Sequence, residues 1–199
     1  MLDLNLVEKQ MSEILDEYRL AHTLSVKDEC LRLAALFQLN QDDTETLAMA
    51  ALLHDCTKPH KKSAQLDLAA RLGIELTSDD TDNPSVLHSI TGAVVAKLQY
   101  GASEIVSNAI ACHTTGKENM TIIDKLLFLA DYIEPLRTFE DCIQVRRYFY
   151  EDSIHLPLVE RLDSTLLLAF DLTISQLLAD HYSIHPLTIK SRNFLLKKS

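Results

Sequence analysis

Apolar residues recur along almost the whole chain at the three- and four-residue spacing of an amphipathic helix. Val7, Met11 and Ile14 form one such stripe, and Val26 and Cys30 belong to the next. No stretch alternates apolar and polar residues in the two-residue period of a half-buried strand. Only four glycines occur in 199 residues, which leaves little material for hairpin turns or a phosphate-binding glycine loop. The sequence therefore predicts an all-α fold.

Helix boundaries are marked by residues that favour the ends of helices. Asn83 with Pro84, Ser103, and Thr121 with Asp124 are start signals, and the last pair is a capping box. The expected stop signals are Gly73, Gly101, Gly116 and Pro135. Later helices are predicted at about 139–150, 157–180 and 186–197, and the polar stretch 76–83 is predicted to be a loop. Because no linker or repeat divides the chain, we expect one domain over residues 1–199.

Charge and cysteine content narrow the class of protein. At pH 7 the formal net charge is −10, whereas proteins that bind nucleic acid or anionic membranes carry an electropositive surface. No apolar run approaches the roughly 20 residues of a membrane span. The four cysteines form no CxxC pair and accompany no signal peptide: Cys30, Cys56, Cys112 and Cys142. We expect a cytoplasmic protein with reduced thiols that binds no nucleic acid and no membrane.

The pair His54 and Asp55 follows directly on an uninterrupted apolar run, residues 47–53. A carboxylate that a core helix places in the interior is destabilising unless a cation or hydrogen-bond donors accompany it. The two residues lie about 100° apart around a helix, so their side chains can point across a cleft, with the carboxylate between two metal ions. The pair therefore indicates a buried polar site that has further members.

Four further residues of metal-ligand type fall on other predicted helices. His22 lies on an apolar stripe, Asp131 is surrounded by apolar residues, His88 lies one turn before Gly92, and His113 ends its helix. Imidazoles and carboxylates together suit a divalent transition metal that keeps open positions for water or substrate. The remaining histidines lie in polar or turn settings and are predicted to be ordinary hydrogen-bonded or surface residues: His60, His155, His181 and His185.

The motifs around these residues resemble the HD-domain superfamily of metal-dependent phosphohydrolases, in its form with two additional histidines and room for two metals. More narrowly, they resemble the YqeK family of symmetrical bis(5′-nucleosyl)-tetraphosphatases. The motifs span nearly the whole chain and are RLAHTLSV (19–26), LLHDCTK (52–58), LHSITGA (87–93), HTTGK (113–117), LADYIEPLR (129–137) and IHPLTIKSRNFLL (184–196). The last three are the most specific.

The chain departs from the YqeK pattern at three places. Cys-Thr at 56–57 stands where the family often has an aromatic and a small residue, Ser-Ile at 89–90 replaces a frequent Gly-Pro, and Leu136 replaces a frequent glycine. The second departure loosens the expected geometry at His88. None of the three removes a residue of metal-ligand type.

The resemblance implies an HD-type helical bundle that holds a metal site between core helices and splits diadenosine tetraphosphate into two ADP. It implies that four residues hold one iron: His22, His54, Asp55 and Asp131. His88 and His113 would serve a second metal, with Asp55 between the two ions. Two metals can activate water and neutralise the charge that develops during displacement at phosphorus. The implied catalytic residues are Asp55, His88, His113 and Lys58.

The resemblance also implies which residues bind the nucleotide. Phosphate contacts are expected near the metals from Arg19, Lys58, His88, His113 and Arg137, and Asp131 is also expected at the substrate site. A nucleoside contact is expected from the helix segment FDLTIS: Phe170, Asp171, Leu172, Thr173, Ile174 and Ser175. Periodicity places Phe170 and Ile174 in the core, and Leu172 stands where a polar residue is common in the family.

Two other functions compete with this interpretation. One is an HD nucleotidase or cyclic-dinucleotide hydrolase of other specificity, which the motifs after His113 disfavour. The other is a non-catalytic, metal-dependent nucleotide-binding regulator, which has no need for an open dinuclear site. The sequence leaves open the native metal, because manganese, cobalt and zinc suit the same ligands as iron. It also leaves open the preferred base and whether the protein is a homodimer.

Overall fold

Eleven α-helices make up most of the computed structural model, which describes residues 3–197. They are α1 (Leu4–Ile14), α2 (Glu17–Leu36), α3 (Gln41–Leu53), α4 (Lys62–Arg71), α5 (Ser78–Asp82), α6 (Leu87–Tyr100), α7 (Glu104–Cys112), α8 (Ile122–Ile133), α9 (Glu140–Arg147), α10 (Leu158–Ala179) and α11 (Pro186–Leu196). A 3₁₀ turn, Pro84–Val86, precedes α6, and a π-helical turn, Tyr148–Asp152, follows α9. No strand occurs in this part of the chain, so the predicted all-α fold is confirmed.

Most of the predicted start and stop signals lie at observed helix ends. The Ser103 hydroxyl accepts a hydrogen bond from the backbone N–H of Val106 at the start of α7. Thr121 and Asp124 form the expected capping box at the start of α8. Gly101 ends α6 in the left-handed conformation, with φ of 65°. These ends depend on contacts within a few residues of sequence, which is why the sequence alone predicts them.

The prediction of a loop throughout 76–83 is wrong, because α5 lies within it. Thr77 and Asp80 form a capping box there, in which each side chain accepts a hydrogen bond from the other residue's backbone N–H. None of the α5 residues is buried. The capping signal is therefore present in the sequence, but no apolar stripe accompanies it. Asn83, expected to cap the next helix, instead donates from its side chain to the carbonyl of Asp79 at 2.7 Å.

Helix α3 lies at the centre of the buried core. All seven of its residues from 47 to 53 are buried, and it packs against α1, α2, α7 and α8. The core also receives side chains from near both ends of the chain, including Met11 from α1 and Leu195 from α11. Because α3 is surrounded in this way, the residues directly after it are delivered into the interior of the bundle.

Helix α10 is long and apolar enough, by length and composition alone, to cross a membrane. The sequence expectation concerned apolar runs, and α10 is not one because the charged residues Asp163 and Asp171 interrupt it. In the structure Leu162, Leu166 and Phe170 are fully buried in the core. The apolar face of α10 thus packs against the other helices of the bundle.

Candidate metal centre

Six imidazole and carboxylate side chains converge on one region of the interior. Helix α2 packs against α3 and α8, α3 packs against α7, and α7 packs against α6. The six are those singled out from the sequence: His22 on α2, His54 at the end of α3, Asp55 in the following turn, His88 on α6, His113 at the end of α7, and Asp131 on α8. We call them the HD cluster. Three overlapping trios within it have ligand atoms within 4.8 Å of one another.

One half of the HD cluster is formed by His22, His54 and Asp131. Nε2 of His22 lies 3.1 Å from Oδ1 of Asp131, and Nε2 of His54 lies 3.8 Å from the same oxygen. Oδ2 of Asp55 lies 3.7 Å from Nε2 of His54. Two imidazole nitrogens and two carboxylates thus lie around one point, which is a ligand set that suits a divalent transition metal.

The other half is formed by His88 and His113 around the second oxygen of Asp55. Oδ1 of Asp55 lies 3.2 Å from Nε2 of His88 and 3.7 Å from Nε2 of His113. The two Nε2 atoms are 3.2 Å apart. Asp55 therefore presents one oxygen to each half of the cluster.

Hydrogen bonds at the outer nitrogens orient two of the rings toward the cluster. Nδ1 of His54 lies 2.7 Å from the carbonyl oxygen of Ala51, and Nδ1 of His113 lies 2.7 Å from that of Ile110. A carbonyl only accepts, so Nδ1 carries the proton and each Nε2 of a neutral ring holds a lone pair. Nε2 of His54 is buried without a hydrogen-bond partner in the described chain. A buried orphan nitrogen among carboxylates fits a metal ligand.

Burial and hydrogen bonding together determine whether each imidazole is charged. Burial lowers the pKa of His54 to about 4 and that of His88 to about 4, although Asp55 next to each ring acts in the opposite direction. Burial also lowers the pKa of His22, but hydrogen bonds with Asp131 and Glu134 outweigh it and raise the value to about 9. Without a metal, His22 is therefore protonated, and a metal ion must displace that proton.

Glu134 contacts the HD cluster, although sequence reasoning misses it. Its side chain is 1% exposed, and Oε1 lies 3.0 Å from Nδ1 of His22. Oε2 accepts a hydrogen bond from the backbone N–H of Leu136 at 2.6 Å. When Nε2 of His22 binds a metal, Nδ1 carries a proton that it can donate to Glu134. The feature of the sequence that could have identified Glu134 is its position as a second carboxylate one turn after Asp131, at the end of the same apolar helix.

Two of the three predicted phosphate-binding cations lie beside the cluster. Nζ of Lys58 lies 3.1 Å from Nε2 of His88. Nη2 of Arg137 lies 2.5 Å from Oδ1 of Asp131. Burial raises the pKa of Asp131, but the charge of Arg137 and the neighbouring rings of His22 and His54 together outweigh burial and hold that pKa well below its usual range. Nε of Arg19 lies 3.6 Å from Oδ2 of Asp16, the helix-capping carboxylate one turn earlier, so its phosphate contact stays a prediction.

Two cavities adjoin this region and share four lining residues: Tyr132, Arg137, Thr173 and Leu177. The metal cleft, as we call the first, has a volume of about 260 Å³ and is also lined by Lys58, His113 and Asp131. The side cavity has a volume of about 500 Å³ and is also lined by Phe139, Glu140 and Asp141. His185, which was predicted to be no metal ligand, lies outside the HD cluster. It lines the metal cleft and pairs with Asp80 at 3.1 Å.

Only one member of the predicted nucleoside-binding segment 170–175 lines either cavity. Thr173 lines both, and its hydroxyl lies 3.4 Å from the hydroxyl of Tyr132. The other five lie elsewhere: Phe170 in the core, Asp171 in an ion pair with Arg192, Leu172 and Ile174 half-buried, and Ser175 exposed. The prediction that Ile174 is a core residue is wrong, because the outer face of α10 near this residue is not covered.

A buried hydrogen-bond network, also missed in the sequence, fixes the turn after His54 against α6. The Thr57 hydroxyl donates to the carbonyl oxygen of His88 at 2.9 Å. The side-chain amide of Gln65 donates to the carbonyl of Thr57 at 2.6 Å and accepts from the Thr91 hydroxyl at 2.5 Å. Thr57 is one of the departures from the YqeK pattern. Its hydroxyl ties the two segments together in this chain.

In a comparison with models of protein families, residues 19–136 match the HD domain. The chain belongs to the HD-domain family. HD-domain proteins are metal-dependent hydrolases, and the imidazoles and carboxylates of the HD cluster are side chains that can bind such a metal.

Relatives of this HD-domain protein match over most of its length. It is 32% identical over 185 residues to the symmetrical bis(5′-nucleosyl)-tetraphosphatase of Halalkalibacterium halodurans, covering 92% of this chain and 91% of the relative. It is 30% identical over 196 residues to the protein of that name from Staphylococcus aureus, covering 97% and 94%. The crystal structure of a predicted HD superfamily hydrolase involved in NAD metabolism from Clostridium acetobutylicum matches the whole of both chains, with a TM-score of 0.88 at 33% identity. The resemblance to the YqeK family is confirmed.

Proposed function

We propose that the protein hydrolyses diadenosine tetraphosphate and related dinucleoside tetraphosphates symmetrically, to two nucleoside diphosphates. The observation that carries the proposal is Asp55, whose two oxygens face the two halves of the HD cluster, with Lys58 and Arg137 close by. Relatives that match more than nine-tenths of the chain are named for this activity. Cleavage of a phosphoric anhydride by water requires no serine or cysteine nucleophile.

The HD cluster supports a metal-dependent reaction. One ion would be held by His22, His54, Asp55 and Asp131, and a second by Asp55, His88 and His113. The family resemblance implies iron, and manganese, cobalt and zinc suit the same donors. When bound, such ions supply water of lowered pKa and positive charge for the phosphoryl oxygens.

Lys58 and Arg137 are proposed to hold the tetraphosphate beside the cluster. Both line the metal cleft, where they provide local positive charge on a chain whose net charge is −10. The Arg137 side chain is 31% exposed, so N–H groups not engaged by Asp131 can donate to phosphate oxygens. His88 and His113 are proposed to reach the same phosphates. Thr173 offers a hydroxyl to the nucleoside that follows them in the metal cleft.

Replacement of the shared carboxylate tests this proposal. Asp55→Asn is expected to remove turnover of diadenosine tetraphosphate while helical content is kept, because a neutral amide is a poor bridge between two cations. Products are identified chromatographically, and metal content is measured on the same preparation. The matched control is Asp67→Asn, which changes an exposed carboxylate on α4.

Three outcomes would contradict parts of the proposal. Near-wild-type turnover by Asp55→Asn with normal metal content would rule out the shared-carboxylate arrangement. Unequal products, AMP and ATP, would rule out symmetrical cleavage. Wild-type protein that binds metal and nucleotide without releasing ADP would be the metal-dependent regulator instead.

A cytoplasmic location is proposed as well. All four cysteines are free and buried, and burial raises the pKa of Cys56 and of Cys112 to about 12. Such thiols are unreactive core residues that suit a reducing compartment. The expectations of no nucleic-acid partner and no membrane partner stay predictions from the acidic charge, and homodimer formation stays open.

A further inference from the structure

The side cavity has no role in the site described so far, although it continues from the metal cleft. Its shared wall is held in place by hydrogen bonds: the Tyr132 hydroxyl donates to Oδ2 of Asp141 at 2.8 Å and accepts from Thr173 at 3.4 Å. Arg137, which faces both cavities, contacts the HD cluster through Asp131. A chain of phosphates that passes over the guanidinium can therefore extend from one cavity into the other.

The two cavities together offer more room than the metal cleft alone. The metal cleft measures about 260 Å³, below the roughly 300 to 1,000 Å³ of typical small-molecule sites. The side cavity, at about 500 Å³, falls within that range. A substrate with two nucleosides needs a second place for its distal half.

The side cavity is lined by charges of both signs. Arg137, which also contacts Asp131 of the HD cluster, provides a cation, and Glu140 and Asp141 provide carboxylates. The Glu140 side chain is exposed and forms no hydrogen bond or ion pair within residues 3–197. Carboxylates repel phosphate but accept hydrogen bonds from ribose hydroxyls, as they do in dinucleotide-binding folds. These charges fit a nucleotide whose phosphates lie at Arg137 and whose ribose lies at the carboxylates.

The side cavity also offers contacts to a base. Phe139 lines it with 63% of its surface exposed, although apolar aromatic rings are usually buried. An exposed ring at a cavity is a stacking platform, because every base has an apolar face. Gln176 lines the same cavity and donates its side-chain N–H to Asp180 at 2.7 Å. Its amide oxygen is left to accept from an exocyclic amino group, such as that of adenine.

We infer that the side cavity binds the second nucleoside of the dinucleoside tetraphosphate. The phosphates cross Arg137, the ribose lies near Glu140, and the base stacks on Phe139. This inference rests on the proposed function, and it assigns to Phe139 and Glu140 a role that no motif in the sequence indicates.

The test compares two substrates that differ only in the number of nucleosides. Diadenosine tetraphosphate has two, whereas adenosine 5′-tetraphosphate has one, which can occupy the metal cleft. Phe139→Ala is expected to raise KM for diadenosine tetraphosphate by about fivefold to a hundredfold, from the loss of one base-stacking contact. For adenosine 5′-tetraphosphate, measured as a substrate or as a competitive inhibitor, the constant is expected to change less than twofold. Phe139→Tyr keeps a ring and is expected to restore the wild-type KM.

Several controls keep the test specific. Phe139 precedes α9 without a side-chain cap, so its replacement leaves the helix end intact. Tyr18→Ala changes an aromatic residue that is 74% exposed and lines neither cavity, and it is expected to change neither constant. Equal changes for the two nucleotides, or no change for either, would overturn this inference and leave the proposed function standing. Wild-type protein that does not split diadenosine tetraphosphate would overturn both.

Discussion

At the scale of single residues, Glu134 and Arg137 each contact one member of the HD cluster and affect its ability to bind a metal in opposite directions. Glu134 lies 3.0 Å from Nδ1 of His22, and Arg137 lies 2.5 Å from Oδ1 of Asp131. A carboxylate that accepts a hydrogen bond from one nitrogen of an imidazole makes the other nitrogen a stronger metal ligand. A guanidinium that donates a hydrogen bond to a carboxylate oxygen competes with a metal for that oxygen. Arg137 thus contacts Asp131 in addition to its proposed contact with phosphates, so its removal also changes the surroundings of Asp131.

Glu134→Gln is expected to weaken metal binding by about tenfold to a hundredfold, as is typical when the partner of a ligating histidine loses its charge. The reason is that a neutral amide orients His22 less firmly and stabilises less positive charge. The measurement is a metal titration of the metal-free protein, with circular dichroism to confirm the fold. Glu118→Gln, an exposed change outside the cluster, is the matched control. An affinity equal to that of wild type would mean that Glu134 only ends α8.

At the scale of elements, three of the six members of the HD cluster, His54, Asp55 and His113, lie where helices end. His54 follows α3 and His113 follows α7, and each ring donates from Nδ1 to a carbonyl in the last turn of its own helix. After α7 the chain turns away at Gly116, with φ of 65°. A Cβ there would lie 2.6 Å from Cζ of Phe170 and 2.8 Å from Oγ of Ser191. The turn therefore allows Phe170 of α10 and Ser191 of α11 to pack directly against the backbone at Gly116.

Gly116→Ala is expected to lower the free energy of unfolding by about 2 to 5 kcal/mol, which combines the left-handed backbone conformation with overpacking against a buried ring. Gly101→Ala is a close control, since it has the same φ of 65° but no atom within 4 Å of the added Cβ. It is expected to cost about 1 to 2 kcal/mol, from the backbone term alone. Urea unfolding of both variants separates the two contributions. Equal losses would show that the contact with Phe170 relaxes freely.

At the scale of the whole molecule, the HD cluster joins helices that are distant in sequence. α2, α3, α6, α7 and α8 each contribute, so a metal bound by the cluster would link segments from residue 22 to residue 131. The desolvated carboxylates and imidazoles gain a common partner only in the folded state. A metal that binds the folded chain and not the unfolded chain stabilises the whole bundle.

Exhaustive chelation is therefore expected to lower Tm by an amount on the order of 10 °C, for a metal present at about a thousandfold its Kd. The measurement is thermal unfolding by circular dichroism, with metal analysis before and after chelation. Re-addition of the metal is expected to restore Tm. An unchanged Tm after complete removal of the metal would mean that His22 and Arg137 already satisfy Asp131 without it.

Local interactions account for what the sequence determines by itself. Apolar spacing and capping residues act within a few positions, so the helices, most of their ends and the all-α class follow from the printed residues. The six members of the HD cluster are recognisable for a related reason, because polar ligand-type residues on apolar helices need buried partners. Helix α5 marks the limit of this approach: its capping box is readable, but without an apolar stripe it does not stand out.

Tertiary packing alone decided which distant residues meet. Glu134 reaches His22 across 112 positions of sequence, and Arg19 pairs with the carboxylate that caps its own helix. Ile174 lies half-buried because the outer face of α10 is left uncovered near it, which periodicity cannot show. The two cavities exist because Tyr132, Arg137 and Thr173 come together from α8, the turn after it and α10. Such contacts depend on how whole helices pack, and no local pattern of residue types contains that information.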